Sequence, residues 1–209
     1  MARNTRARII AGARAFFFAL GYDGTRLERV AEKLGITKKT IYNHFDSKEE
    51  LLLAVLEEDL RAWVEETRTI VREPGLEMGE RFLRLQSRAV AALQRRAAVF
   101  PQVAAGPKQD MRAQMENHFV RELAALFMEM IELAKRSGHL LPDVDPRLMA
   151  HVLINMGARI AVYCSIPDVP YDPTTLLNES IRLVFTGVLT ELGRQRLSEI
   201  GFSGGPTSG

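Results

Sequence analysis

Apolar residues recur along this chain at intervals of three and four, the spacing of one helix face, and no stretch alternates as a half-buried strand would. Ile9, Ala13, Phe16, Phe17 and Leu20 predict a first helix over about Thr5 to Leu20, with Gly21 where a C-terminal glycine stop belongs. Phe18 widens that stripe, so it either enlarges the core face or touches a second surface. Thr25 to Glu28, "TRLE", has the pattern of a capping box, and the short helix it opens reaches Leu34 before Gly35 breaks it. Thr37 caps a next helix ending near Phe45. "SKEE", Ser47 to Glu50, is a second capping box opening a long helix to about Arg72. Beyond Pro74-Gly75 the pattern predicts helices over about Glu77 to Val99 and Gln109 to Ser137, separated by the break "FPQVAAGPK". Asp145-Pro146 and Asp172-Pro173 each supply an N-cap and an N1 proline, for helices to about Ile166 and Arg196. "GFSGGPTSG" reads as a disordered tail. The fold class is all-α, without an internal repeat.

Three helix starts within about 25 residues raise the question of what such short helices are for. Two helices joined by a tight turn need a small residue where they cross, a turn residue tolerating positive φ, and apolar residues sealing both sides. Ala31 is the small residue, Gly35 the turn glycine, and Val30, Leu34, Ile36, Ile41 and Phe45 the seals. With Ile41 and Phe45 turned inward, Lys38, Lys39, Thr40, Tyr42, Asn43 and His44 are left for the outer and flanking faces. Each is a donor, an acceptor or a cation of the kind that reads base edges or grips phosphate. That crowding is the signature of a recognition helix.

Charge points the same way. The net charge is +2, but residues 1–50 carry ten Lys/Arg against six acids, leaving 18 bases and 20 acids in the remainder. A basic head on a slightly acidic body suits a polyanionic partner, although charge alone also fits a solvated surface.

From about Arg8 to Leu56, some quarter of the chain, "FFFALGYDGTRLERVAEKLGITKKTIYNHFDSKEELL" resembles the N-terminal DNA-binding domain of the TetR family of transcriptional regulators. Phe18 and Leu20 stand where polar residues are common in that pattern, and Lys39 where glycine is common, a departure that bears on operator preference. The resemblance implies a TetR-type helix-turn-helix domain over residues 1–50 (core about 26–45), a helical effector-binding and dimerisation domain over 51–198, and a disordered tail over 199–209. By chemistry, Lys38, Lys39 and Asn43 are the candidates for base contacts. Thr40, Tyr42, His44 and Lys48 are candidates for phosphate, and Thr25 and Lys48 sit at helix starts whose N–H groups favour an anion. Tyr42 either makes that contact or gives half its ring to the core. His44 either grips phosphate or is hydrogen-bonded within the fold.

The larger domain is similar to the family in architecture only. In the family the last two long helices of each subunit form a four-helix dimer interface, and here they correspond to about Pro146–Ile166 and Pro173–Arg196. "LINMGARIAV" has more apolar surface than one helix of a monomer usually hides. Arg159 either pairs across the two-fold or bridges to an acid of its own chain. Met111, Met115 and Phe119 step by four along one helix face, lining either a pocket for varied hydrophobic ligands or ordinary core. Trp63, Phe82, Phe127 and Tyr163 are further candidates for such a lining.

Other chemistries find little support. His44, His118, His139 and His151 stand apart, and no H-E-x-x-H, G-x-S-x-G or phosphate-binding glycine loop is present. His118 and Glu122, four apart, make half a metal site or a surface hydrogen bond. Asp143 and Asp145 form a carboxylate pair only until the capping role of Asp145 is counted. No catalytic set, metal or cofactor is expected. The single cysteine, Cys164, excludes an internal disulfide and fits a reducing compartment. "AFFFAL" is too short for a secretory signal. Leu148 to Ile166 approaches membrane-spanning length, but an arginine such as Arg159 near a bilayer centre costs roughly 2.5–3.5 kcal/mol. The expectation is a cytoplasmic homodimer, without membrane contact, that binds near-palindromic double-stranded DNA and is released by a hydrophobic effector. The alternatives are a DNA-binding factor without small-molecule control, and an all-helical enzyme or lipid-binding protein.

Overall fold

The computed structural model describes residues 2–97, 99, 109–163 and 170–199. Among them the fold is all-α, with α1 Ala2–Gly24, α2 Leu27–Leu34, α3 Lys38–Tyr42, α4 Lys48–Arg72, α5 Met78–Ala97, α6 Gln109–Arg136, α7 Pro146–Tyr163, α8 Pro173–Thr186 and α9 Glu191–Glu199. The expected break at 100–108, the reach of α7 to Ile166, Cys164 and the tail from 200 onward fall outside the described residues.

The first three helices pack on the start of α4 as a small head. Ile9, Phe17, Val30, Ile41, Phe45, Leu51 and Val55 form its core, and Val99, two residues past the end of α5, joins them. Helix α1 kinks at Gly21 (φ 68°, ψ −176°) and runs on to Gly24. That kink overturns the capping box expected at Thr25. Thr25 is 1% exposed, and its hydroxyl donates to the Gly21 carbonyl at 2.7 Å, while Arg26 becomes the N-cap of α2 without a side-chain bond. A carbonyl stranded by a kink needs a donor, and the buried hydroxyl supplies it. Ser47 does cap α4, accepting from Glu50 N at 3.1 Å; Glu50 reaches back to Asp46 N at 2.8 Å, one residue ahead of the N-cap.

Helix α4 crosses residues 50 and 51 unbroken, and its 25 residues span roughly 37 Å at 1.5 Å each. Its first turns belong to the head core, and Val64 belongs to a cluster with Phe119, Leu123 and Leu126 of α6. At its C-terminus one side chain from α5 gathers two helical carbonyls, that of the C-cap and one from the turn beyond. Arg81 donates to Ile70 O, to Val71 O at 2.6 Å, to Glu73 O at 3.0 Å and to Leu76 O at 2.9 Å. A cation there also complements the negative end of the helix dipole.

The helix expected over Pro173–Arg196 is two helices. After Gly187 the backbone turns to pair with the loop behind α6, with Leu141 N donating to Val188 O at 2.9 Å and Thr190 N to His139 O at 3.1 Å. Those bonds, with Leu189 buried beneath them, replace the helical ones the periodicity implied. Helix α9 then crosses so close to this loop that a Cβ on Gly193 would run into the His139 carbonyl and approach Leu189 Cδ2 to 2.8 Å.

The most unusual feature of the interior is a charge. Asp59 on α4 has no exposed side-chain surface, and its carboxylate meets Arg14 Nη2 of α1 at 2.6 Å, Arg96 Nε of α5 at 2.8 Å and Arg95 Nε at 3.7 Å. Burying a carboxylate costs several kcal/mol unless paired and hydrogen-bonded, and here α1 and α5 supply the pairing. Arg96 is itself buried and lies 5.2 Å from the Trp63 ring centroid; Arg14 lies 5.8 Å from that of Phe18.

Two stability changes are expected at fixed protein concentration in urea unfolding followed by circular dichroism. Gly193→Ala should cost about 1–3 kcal/mol, because the new methyl meets backbone that cannot rotate away. Asp59→Asn, nearly the same shape, should cost about 3–5 kcal/mol by leaving the Arg96 charge buried without its counter-ion.

Candidate nucleic-acid interface and ligand cavity

Helices α2 and α3 form a helix-turn-helix. Gly35 closes α2 in the left-handed region (φ 65°, ψ 34°), where an L side chain is strained even though there is room for one. Val30, Ala31, Ile41 and Phe45 are buried, and Leu34 and Ile36 pack half-buried against them. Thr37 caps α3, accepting from Thr40 N at 3.1 Å, and its hydroxyl lies 2.9 Å from that of Thr40. Helix α3 ends at Tyr42, short of the expected Phe45. The N–H groups of His44 and Phe45 both turn back to Ile41 O, which tightens the chain and swings Phe45 into the core.

The eight residues singled out for DNA are therefore not equivalent. Lys38, Lys39, Tyr42 and Asn43 are exposed, Thr40, His44 and Lys48 are half-buried, and Thr25 is buried. Both donors of Thr25 are used internally, its N–H by Tyr22 O and its hydroxyl by Gly21 O, so it offers no contact of its own. Lys38 Nζ donates to Glu28 Oε1 at 2.6 Å, a bond that holds the Glu28 carboxyl below its ordinary value and the Lys38 ammonium above. Both partners are exposed, so a phosphate or base competes with Glu28 at little cost. Lys48 Nζ sits 4.4 Å from the Tyr22 ring centroid, where burial pushes its ammonium down. Arg26 at the N-cap and Arg29 within α2 add exposed positive charge, which the sequence shows only as part of the net charge of the head.

A cavity of about 440 Å³ lies within the helical body. Trp63 of α4, Phe82 of α5, and Phe119 and Phe127 of α6 line it, with Leu60, Leu123, Ile154, Ile181 and Phe185 among the aliphatic and aromatic surroundings. Tyr163 is half-buried and is not among the lining residues, and the side chains of Met111 and Met115 fall outside the described residues. Polar liners are few: Gln86, His139, Arg96 and Arg196. Aromatic and methionine periodicity does not point to them, since nothing in their local sequence separates a cavity-facing arginine from a surface one. Among the described residues, no group of three or more His, Cys, Asp or Glu could hold a metal, and His118 faces Glu122 alone at 3.4 Å. No described helix is long and apolar enough to cross a membrane.

Comparison with known proteins places this architecture. Residues 9–55 match the family model of bacterial regulatory proteins, tetR family. The chain is 23% identical to the HTH-type transcriptional regulator UidR of Escherichia coli (strain K12) over 192 residues, covering 90% of this chain and 95% of that one. It is 38% identical to the HTH-type transcriptional repressor AcnR of Corynebacterium glutamicum over 73 residues, 35% of this chain and 37% of that one. A solved structure described as the molecular basis for control of antibiotic production by a bacterial hormone is similar with a TM-score of 0.65 and 26% identity, over 90% of this chain and 98% of its own. With a helix-turn-helix built as its sequence requires, residues 9–55 form a DNA-binding head of the tetR family of bacterial regulatory proteins, carried on a helical body whose fold matches that of the solved structure.

Proposed function

We propose that the protein is a homodimeric, cytoplasmic repressor that reads a near-palindromic operator and leaves it when a hydrophobic small molecule enters the body. One observation carries this: α4 contributes Leu51, Leu52 and Val55 to the core beneath the recognition helix, and Leu56, Leu60 and Trp63 to the wall of an apolar cavity. A ligand that shifts α4 shifts the head with it. The cavity volume falls within the roughly 300–1,000 Å³ of small-molecule sites. Naming supports the reading too, since AcnR is a repressor and the antibiotic-control structure concerns a bacterial hormone.

In this scheme residues 1–50 read DNA, and 51–198 bind effector and dimerise. Lys38, Lys39 and Asn43 contact base edges, while Thr40, Tyr42, His44 and Lys48 hold phosphates. The second copy docks on α7 and α8. Leu148 of α7 and Leu183 of α8 are 64% and 65% exposed, and Leu148, Val152, Asn155 and Arg159 make an exposed stripe along α7. Two heads then occupy major grooves roughly 34–36 Å apart, and a ligand preferring the other spacing weakens binding through a coupling of roughly 1–3 kcal/mol.

Selection of random duplexes by the purified protein at two salt concentrations should yield a near-palindromic consensus. Asn43→Ala should then relax the preference at one position per half-site, at about 1–3 kcal/mol, and Lys48→Ala should weaken all sequences alike and lower the salt slope by about one. Binding without any consensus would sink the regulator reading. Leu148→Glu combined with Leu183→Glu should sediment as a folded monomer and lose operator affinity; an intact dimer would place the interface elsewhere.

A further inference from the structure

Four polar side chains line the cavity, and three of them already have partners. Gln86 Nε2 donates to Asn178 Oδ1 at 2.8 Å, Arg196 Nη1 donates to Glu199 Oε2 at 3.0 Å, and His139 Nδ1 shares a hydrogen bond with Ser137 Oγ at 2.9 Å. Arg96 differs. Its Nε is held by Asp59, but its Nη2 is buried and has no hydrogen-bond partner among the described residues. Leaving a charged donor buried and unmatched costs more than leaving a neutral one; Arg81 Nε and Arg95 Nε are also buried without a partner, but of the three arginines only Arg96 borders the cavity, where a ligand can reach it.

The charges around it say which ligand suits it. Asp59 is one anion facing three guanidinium groups, those of Arg14, Arg95 and Arg96. Arg14 and Arg95 are partly exposed to solvent, so the positive charge that borders the largely apolar chamber here is that of Arg96, which shares Asp59 with both. Burial pushes the Arg96 guanidinium down from its ordinary value and Asp59 opposes that shift; an arginine side chain stays protonated in proteins. A cation, or a second donor, gains nothing there. A planar anion such as a carboxylate accepts from the guanidinium in a charge-assisted bond and offsets its charge.

We propose that the effector is an amphiphile with one anionic group, whose apolar body fills the chamber between Trp63, Phe119 and Phe185 and whose anion is anchored by Arg96. This rests on the effector cavity proposed above and adds the chemical class of its ligand. Arg96 selects the ligand, and the aromatic and aliphatic walls supply the bulk of the affinity.

The test is titration calorimetry of the full-length protein with three probes of equal chain length, decanoate, decan-1-ol and decylammonium, below their aggregation concentrations. Wild-type protein should bind decanoate roughly 10-fold or more tightly than decan-1-ol, as a charge-assisted bond to a waiting donor implies, and decylammonium more weakly than either. Arg96→Met, which keeps the apolar stem, should bind decan-1-ol as before and lose the preference for decanoate. Arg96→Lys should retain part of it. Equal binding of the three probes by the wild type would overturn the anionic anchor while leaving the apolar cavity standing, and this arm needs no variant to fold. Preference for decanoate undiminished in a folded Arg96→Met protein would also overturn it. Failure of all three probes to bind would remove the effector cavity and the anchor together.

Discussion

A carboxylate shut away from water, Asp59, is the constraint around which three helices must arrange themselves. Its desolvation is repaid only if Arg14 of α1 and Arg96 of α5 both reach it in hydrogen-bonding geometry, at 2.6 and 2.8 Å. Apolar packing tolerates sliding, because contact energy changes slowly with position. A buried ion pair does not, because a small displacement strands a charge. Asp59 therefore fixes the registry of α1 and α5 along α4, and with it the place of the head on the body.

Helix α4 carries that registry in both directions. Its N-terminal turns pack beneath α3 and its middle turns form one wall of the cavity, so the head and the chamber share a rigid element. Val99 in the head core adds a second tie, from just past the end of α5. The two ends of α4 are also held, by Ser47 at the start and by the bonds of Arg81 to the Ile70, Val71 and Glu73 carbonyls at the finish. A helix capped at both ends moves as a unit, which is the property a transmitted movement requires.

The helix-turn-helix was legible because its determinants are local. Ala31, Gly35, Ile41 and Phe45 interact within about 15 residues, and a turn that needs positive φ names its glycine in the sequence. Capping was legible wherever the competing partner was local too, as at Thr37, Asp145 and Asp172. At Thr25 it was misleading, since a kink four residues earlier created a better acceptor for the hydroxyl. The same failure split the last predicted helix, where pairing with the distant residues 139–141 outcompeted local helical bonds.

Composition and periodicity alone determined that this chain is helical, that its head is a basic helix-turn-helix, and which residues of that head are apolar seals. Those features follow from interactions between residues close in sequence, whose geometry the backbone dictates. Tertiary structure decided which of Glu57, Glu58 and Asp59 is the buried acid, and which arginines answer it. It also decided that five aromatic rings from four helices enclose one chamber with Arg96 at its wall. Burial is a property of the assembled helices: neighbouring acids on one helix are chemically alike until packing removes the water from one of them.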